Sequence, residues 1–247
     1  MLSKKEIEVM RENAKVHKLV FEEIKKIIKD GTKATEIDKL CGEIAKKHGV
    51  LCGFRGVYDF PANICISVND VVVHGLPREG LVFKNGDLAT FDFGIKDKEY
   101  GINTDAAFSV IIGGDDKNPK GAKLIEANKK ALYAGIAQAR AGNKVGDISA
   151  AIGKEIVGAG FKVVKQLTGH AIGKELHEKP YIPNFGKAGY GMVLKKGMTL
   201  AIEPILGETS GEIVDEGDWE IYIKDGSLGS QYEHTILITD GEAEIIV

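Results

Sequence analysis

The chain has 247 residues, of which 43% are hydrophobic, enough to fill the core of one large domain or two small ones. This composition excludes a disordered or fibrous protein. The formal net charge is -3 with acids and bases interspersed, so no basic stripe is available for a nucleic acid or an anionic membrane surface. Three cysteines without CxxC spacing predict neither a disulfide framework nor a thiolate zinc site. Because no signal peptide or long apolar run is visible, we expect a cytoplasmic monomer that binds neither membrane nor nucleic acid.

Four helices are predicted from the spacing of apolar residues. Such residues recur every three or four positions through residues 7–28, which indicates an amphipathic helix that ends near Gly31. Thr35 is a candidate N-cap for a second helix. Two further helices are predicted near residues 120–141 and 147–159.

The pattern becomes strand-like after the second predicted helix. Short runs rich in β-branched and aromatic residues, bounded by Gly, Asp or Asn, predict β-strands. These runs are NICISV, LATFDFGI, DAAFSVII, MTLAIEPIL and YEHTILIT.

Two helical segments of the sequence resemble each other. The stretch GTKATEIDKLCGEIAKKHG from Gly31 aligns without a gap on GNKVGDISAAIGKEIVGAG from Gly142. Similarity at a fixed offset indicates an internal duplication, and no Pro- or Ser-rich linker separates the two copies. We therefore predict an α+β protein with one domain, residues 1–247, built from two related halves at approximately 1–112 and 113–247.

Four acidic residues lie in segments that otherwise look like buried strands. Asp92 lies in LATFDFGI, Asp105 opens DAAFSVII, Glu203 lies in TLAIEPIL and Glu233 lies in QYEHTILIT. A single strand acid usually faces solvent, but four buried and unpaired carboxylates would cost too much free energy. A shared cation would account for all four. Strand alternation also points Asp92 away from its apolar neighbours.

A histidine motif accompanies these acids. His170 lies between glycines in LTGHAIGKELHEKP, and His177 follows in the same motif. A lone histidine is more often structural than a ligand. One histidine with four carboxylates, however, forms an oxygen-rich set that suits two divalent hydrolytic ions rather than a structural zinc or an iron–sulfur cluster.

Together these motifs resemble the type I methionine aminopeptidases, which are pita-bread metallohydrolases. Five ordered blocks carry the resemblance over nearly the whole chain: SVNDVVVHG at 67–75, Asp92 followed by Asp105, GHAIGKELHEKP at 169–180, MTLAIEP at 198–204 and SQYEHTILIT at 230–239. The resemblance implies a pita-bread α+β fold. In that fold two halves, related by a pseudo-two-fold axis, together form a central curved antiparallel β-sheet with helices on its outer face.

The resemblance also implies residue roles. Two divalent ions, cobalt, manganese, iron or zinc, would be held by Asp92, Asp105, His170, Glu203 and Glu233. The cations would lower the pKa of a nucleophilic water, and Glu203 would transfer its proton. His74 is implied near the nitrogen of the scissile peptide and His177 near its carbonyl oxygen, where a donor stabilises the tetrahedral intermediate.

The resemblance further implies an apolar pocket for the methionine side chain, and ordinary core packing is the alternative role for each of its residues. They are Phe54, Phe60, Cys65, Leu176 and Trp219. Tyr58 remains an alternative to Phe60 because the loop GVYDFP is longer than expected, and Arg55 stands where a histidine is commoner.

The interval from Asp92 to Asp105 is also longer than the resemblance leads us to expect. Asp97 and Asn103 therefore compete with Asp105 as the second aspartate position. Asp105 is preferred because the strand pattern resumes at DAAFSV.

The implied function is removal of the N-terminal methionine from nascent polypeptides, at the ribosome, when the second residue is small. One alternative is a proline-specific aminopeptidase or dipeptidase of the same superfamily, although those enzymes usually carry a long N-terminal domain. Another is a non-catalytic peptide-binding relative, although such proteins have typically lost some of the metal-binding residues.

Overall fold

The computed structural model describes residues 1–247 and contains four α-helices and fifteen β-strands. The helices are α1 (Lys4–Ile27), α2 (Ala34–Lys47), α3 (Pro119–Gln138) and α4 (Val145–Gly158). The strands are β1 (Leu51–Cys52), β2 (Cys65–Val68), β3 (Val71–Val73), β4 (Leu88–Lys96), β5 (Asn103–Ile111), β6 (Lys162–Val163), β7 (Thr168–Ala171), β8 (Glu178–Pro183), β9 (Thr199–Ile202), β10 (Ile205–Gly207), β11 (Ile213–Asp215), β12 (Ile221–Ile223), β13 (Gly229–Gln231), β14 (His234–Leu237) and β15 (Glu244–Ile245). Helices combined with antiparallel strand pairs confirm the predicted α+β class. None of the helices has the length and apolar character needed to cross a lipid bilayer.

The first two helices begin for different reasons. At α1 the Ser3 hydroxyl accepts a hydrogen bond from the Glu6 N–H at 3.3 Å, and the Glu6 carboxylate accepts one from the Ser3 N–H at 2.8 Å. At α2 the predicted N-cap was wrong, because Thr35 lies inside the helix and Lys33 occupies the cap position. An isolated bridge between Lys33 and Val82 keeps the chain extended up to Lys33. The helix therefore starts earlier than predicted from the Thr35 side chain.

Helices α1 and α2 cover one face of a four-stranded sheet in which β4 pairs with β5 along one edge and with β2 and β1, one after the other, along the opposite edge. The core between them is apolar and fully packed; it includes Val20, Ile24, Ile37, Cys41, Phe91, Phe93 and Phe108. Phe91 and Phe93 point into this core, whereas Asp92 between them lines the cavity that is described below. This arrangement agrees with the alternation expected along β4.

Helices α3 and α4 cover a second set of strands, in the order β15-β14-β9-β7-β8, together with β10. Their shared core includes Leu132, Ile148, Ile152, Leu200, Ile202, Leu206 and Ile236. Both helix pairs therefore leave the opposite side of the strands free for polar groups.

The two similar helical segments have matching structures. Helices α2 and α4 are each 14 residues long and begin at equivalent positions of the gapless alignment. Each follows an isolated bridge, Lys33 to Val82 in one half and Lys144 to Val193 in the other. This correspondence supports two related halves, although their assignment to one catalytic domain stays a prediction.

Two of the acidic residues lie at breaks between strands and not within them, which corrects the sequence prediction. The run MTLAIEPIL forms two strands, β9 and β10, and Glu203 lies between them. The change of partner explains the break, since β9 pairs with β14 whereas β10 pairs with β13 and β6. Glu233 precedes β14 and is joined to Ala107 by an isolated bridge.

Candidate metal and peptide site

Every residue predicted for the site from the sequence lines one cavity of about 290 Å³. Its lining includes Phe54, Phe60, Cys65, His74, Asp92, Asp105, His170, Leu176, His177, Glu203, Trp219 and Glu233. Tyr58 lines it as well. The volume is near the lower end of the range for ligand pockets.

The five proposed metal ligands come from different parts of the fold. Asp92 lies in β4, Asp105 in β5 and His170 in β7. Asp105 is paired with Gly94, two residues from Asp92, so the two aspartates are close in register. Glu203 follows β9, the strand whose Ala201 is paired with His170. Strand pairing thus explains how residues far apart in sequence reach one cavity.

The alternatives to Asp105 do not line this cavity. The Asp97 carboxylate accepts a hydrogen bond from the Tyr100 N–H inside the β4–β5 turn. The buried Asn103 amide donates to the carbonyl oxygens of Gly173 and Lys174, at 3.0 and 2.9 Å. The additional residues of this interval are therefore accommodated by the turn.

The donor atoms fit a divalent metal ion. Ligand atoms of Asp105, His170 and Glu233 lie within 4.8 Å of one another. Oδ1 of Asp92, Oδ1 of Asp105 and Oε1 of Glu233 are buried and have no hydrogen-bond partner. Such oxygens are costly to bury unless a cation satisfies them, and oxygen with imidazole ligands suits several divalent metals.

Burial also changes the protonation of these groups. It raises the pKa of Asp92 to about 7. It also raises the pKa of Asp105, Glu203 and Glu233, and for these three groups the neighbouring carboxylates add to the effect. Burial lowers the pKa of His170 to about 4, so its imidazole is neutral at pH 7. A neutral imidazole is the metal-binding form.

One contact orients the His170 ring. Its Nδ1 lies 3.0 Å from the carbonyl oxygen of Ala171, which requires the proton on Nδ1. Nε2 then presents its lone pair towards Glu203, whose Oε1 is 3.4 Å away. A backbone acceptor behind a ligating histidine is the usual way in which proteins orient such a ligand.

His74 and His177 are exposed to the cavity beside the carboxylates. The His177 ring lies edge-on to His170, with ring centroids 4.5 Å apart, and is parallel to the ring of Tyr58. His74 has a φ of 57°, an uncommon conformation for a residue with a side chain. Neither imidazole belongs to the buried group of candidate metal-ligand atoms described above.

The residues predicted for the methionine pocket form one apolar cluster that lines the cavity. Phe54, Phe60, Cys65 and Leu176 are buried in a single cluster, and Trp219 packs against it. The Phe60 and Trp219 rings meet edge-on at 5.3 Å. Burial raises the pKa of the Cys65 thiol, so this group is not a thiolate nucleophile.

Two buried polar residues were missed in the sequence, one inside the predicted site and one beside the loop that carries His74. The Gln231 amide faces three of the carboxylates, and Glu220 accepts a hydrogen bond from the Leu76 N–H at 3.0 Å. Gln231 could have been noticed, because it is a polar residue within the block SQYEHTILIT. Nothing in the sequence distinguishes Glu220 from a surface acid.

Comparisons with known proteins agree with this geometry. Residues 8–240 match the model of metallopeptidase family M24. The methionine aminopeptidase of Clostridium acetobutylicum is 36% identical over 242 residues, which cover 98% of this chain and 95% of that protein. The crystal structure of methionine aminopeptidase from Thermotoga maritima has a TM-score of 0.95 and 39% identity, and covers 99% of this chain and 97% of that chain.

A prolidase from Pyrococcus furiosus shares the fold at a greater distance. Its TM-score is 0.77 at 21% identity, and the match covers 99% of this chain but 64% of the prolidase. This likeness concerns the fold alone, and with the previous comparisons it confirms the predicted pita-bread class. The match to the family model over nearly the whole chain, together with the buried carboxylate and imidazole donors, shows that the chain belongs to metallopeptidase family M24.

Proposed function

We propose that this protein is a metal-dependent methionyl aminopeptidase, which removes the N-terminal methionine from polypeptides whose second residue is small. The observation that carries the proposal is the full-length similarity to methionine aminopeptidases, 36–39% identical with at least 95% of each relative covered. The single cavity in which apolar residues and metal donors meet supports it. Prolidases share the fold at 21% identity, which provides no support for a proline-specific activity.

Two divalent ions, of cobalt, manganese, iron or zinc, are the proposed cofactors. Their proposed ligands are Asp92, Asp105, His170, Glu203 and Glu233. Three partnerless buried oxygens and the neutral His170 imidazole support this assignment. When bound, such ions polarise a carbonyl and lower the pKa of a water molecule.

The remaining chemistry belongs to side chains of the cavity. Glu203 is the proposed proton acceptor and donor, and its side chain is 12% exposed, which leaves it within reach of a substrate. His74 and His177 are proposed to contact the scissile peptide, His74 near the nitrogen and His177 near the carbonyl oxygen. Imidazole N–H groups there would orient the peptide and stabilise charge on the carbonyl oxygen.

The methionine side chain is proposed to bind against the apolar cluster that lines the cavity. Phe54, Phe60, Cys65 and Trp219 would contact it, and their common cluster supports this role. Gly94 lies beside Phe54, and a Cβ at position 94 would come within 2.7 Å of the Phe54 ring. A glycine is therefore needed where this pocket meets the strand that carries Asp92.

The natural substrates are proposed to be nascent polypeptide N-termini, processed by a monomer at the ribosome. We also propose that the protein works in the cytoplasm. Its three cysteines are free thiols, which suits a reducing compartment. Residues 1–247 are proposed to act as one catalytic domain, since groups from both halves line the cavity.

A peptide panel tests the proposed function. Met-Ala-Ser, Met-Lys-Ser and Ala-Pro-Ser are incubated with the protein in the presence of Co²⁺ or Mn²⁺ and, separately, of a chelator. Metal-dependent release of methionine from Met-Ala-Ser alone is the expected result. Preferential cleavage of Ala-Pro-Ser would instead establish the proline-specific alternative, and cleavage of no peptide would favour a non-catalytic relative.

A further inference from the structure

The Gln231 side chain occupies an unusual position among the buried carboxylates. It is 2% exposed and lies at the end of β13. Its Nε2 is 3.2 Å from Oδ2 of Asp92, 3.4 Å from Oε2 of Glu203 and 3.3 Å from Oε2 of Glu233. One amide group therefore contacts carboxylates from three different parts of the fold.

The orientation of this amide follows from its surroundings. With the amide reversed, its oxygen would face three carboxylate oxygens at 3.2–3.4 Å, which is repulsive when the acids are ionised, the form that binds a cation. The NH2 group must therefore face the acids. Its two hydrogens serve three acceptors, so the amide acts on the group of carboxylates as a whole.

Gln231 also divides the carboxylate oxygens into two sets. Its amide contacts the second oxygen of Asp92, Glu203 and Glu233. The other oxygens of Asp92 and Glu233 are buried without any partner, and the other oxygen of Glu203 faces Nε2 of His170. Each of these three carboxylates thus has one oxygen beside the amide and one that is available to a cation.

We propose that Gln231 is a positioning residue for metal binding. By donating to one oxygen of Asp92, Glu203 and Glu233, it holds their carboxylate planes so that the other oxygens converge on the metal. The inference rests on the proposed function, because it takes these three acids as metal ligands. Partners that orient ligands in this way typically change metal affinity about 10–100-fold when removed.

Simple charge arguments predict the opposite sign for removal of the amide. The amide hydrogens partly offset the negative charge of the carboxylates. If they are removed, Coulomb attraction alone would make the carboxylates bind a cation more tightly. Orientation predicts weaker binding, because the carboxylates must be rearranged before they can bind. The sign of the change in affinity therefore separates the two effects.

The test is a Co²⁺ titration of the chelator-treated full chain by calorimetry and by visible absorption. Gln231→Met is the main variant, since it keeps the side-chain length but has no donor. The matched control is Asn13→Leu, which removes another buried amide, one that donates to the Ile102 carbonyl oxygen at 2.9 Å outside the cavity. That carbonyl keeps its bond from the Asp97 N–H.

We expect Gln231→Met to bind Co²⁺ at least about tenfold more weakly than the parent, with an altered cobalt absorption spectrum. Asn13→Leu should bind within about twofold of the parent, even if both variants lose similar thermal stability in chelator. Gln231→Leu, which also lacks the amide, replaces the first variant if that one does not fold.

An affinity equal to or tighter than that of the parent would overturn the positioning role. Cleavage of Met-Ala-Ser by the parent is measured in parallel to keep the two proposals distinct. If the parent binds Co²⁺ and cleaves while the Gln231 variants bind normally, only the positioning role falls. If the parent neither binds Co²⁺ nor cleaves, the proposed function falls, and this inference with it.

Discussion

Glu203 has two roles in the proposed reaction, since it would bind a metal ion and also transfer a proton. Gln has the same shape and can still offer an oxygen to a cation, but it cannot accept a proton. We expect Glu203→Gln to lower kcat on Met-Ala-Ser by at least about 10²–10⁴-fold, the usual contribution of a general acid or base.

The control for this variant is its metal content and its thermal midpoint in chelator, both of which should stay close to those of the parent. A kcat near that of the parent would refute the proton-transfer role of Glu203. A large loss of bound metal would instead attribute the effect to ligation.

His17 provides a prediction about pH. It is fully buried on α1, with its ring edge-on to Phe21 and Phe93, and its Nε2 has no hydrogen-bond partner. Burial lowers the pKa of His17 to about 3, below the ordinary value of about 6.5. Between these values the unfolded chain binds a proton that the folded chain does not, so stability falls as the pH decreases.

We therefore expect His17→Phe to reduce the pH dependence of stability. From pH 7 to pH 5 the variant should lose about 2 kcal/mol less unfolding free energy than the parent, at about 1.4 kcal/mol per pH unit below 6.5. Urea unfolding of both chelator-treated proteins at the two pH values measures this difference. Parallel losses in the two proteins would contradict the prediction.

At the scale of elements, one buried acid joins β12 to the loop that carries His74. Glu220 precedes β12 and is 4% exposed. Its carboxylate accepts hydrogen bonds from the Leu76 N–H at 3.0 Å and the Tyr222 hydroxyl at 2.5 Å, and it forms an ion pair with Arg78. Loss of this carboxylate leaves the partly buried Leu76 N–H without its acceptor, whereas the half-exposed Arg78 guanidinium stays accessible to solvent.

We expect Glu220→Ala to lower the free energy of unfolding by about 1.5–3 kcal/mol, the range for hydrogen bonds to a charged group. It should also lower kcat/KM on Met-Ala-Ser, because the loop that carries His74 loses an anchor. The matched control is Glu212→Ala, which removes an exposed ion pair with Lys224 and should leave the free energy of unfolding almost unchanged. Equal effects of the two substitutions would contradict the special role of Glu220.

Element boundaries show where local sequence signals stop being sufficient. Helices α1 and α3 begin at side-chain caps, provided by Ser3 and Asn118, that are local in sequence. Helix α2 begins at Ala34 because a bridge from Lys33 to the distant Val82 holds the chain extended up to that point. The predicted strand through Glu203 is interrupted because its two ends pair with different strands. These differences depend on contacts between residues far apart in sequence.

At the scale of the whole molecule, the cavity brings together four buried acidic groups whose ionised forms are unfavourable without a cation. Four carboxylates, of Asp92, Asp105, Glu203 and Glu233, line it, and burial raises the pKa of each. A divalent cation that binds only the folded chain stabilises it by mass action, by about 2.7 kcal/mol at a concentration 100 times the Kd.

We therefore expect Co²⁺ or Mn²⁺ at that concentration to raise the thermal midpoint of the chelator-treated protein by roughly 5–10 °C, given the usual conversion for a domain of this size. Differential scanning fluorimetry measures the shift. The double variant Asp92→Asn, Asp105→Asn should show little or none of it. An equal shift in parent and double variant would mean that the metal acts elsewhere.

The sequence by itself determined the α+β class, the approximate helices and the five candidate ligands. Helix periodicity and the cost of burying Asp92, Asp105, Glu203 and Glu233 are local properties that composition and spacing record. The relation between α2 and α4 was likewise visible, because a fixed offset aligns their residues.

Only the tertiary structure decided which groups meet. Asp105 lines the cavity, whereas Asp97 lies in the turn between β4 and β5. This difference depends on the register between the two strands, and the sequence of a long hairpin does not specify that register. The contacts of Gln231 and Glu220 depend on side chains brought together from separate strands and loops. A hydrogen bond is specified by distances of a few tenths of an ångström, and spacing along a chain does not encode distances across a fold.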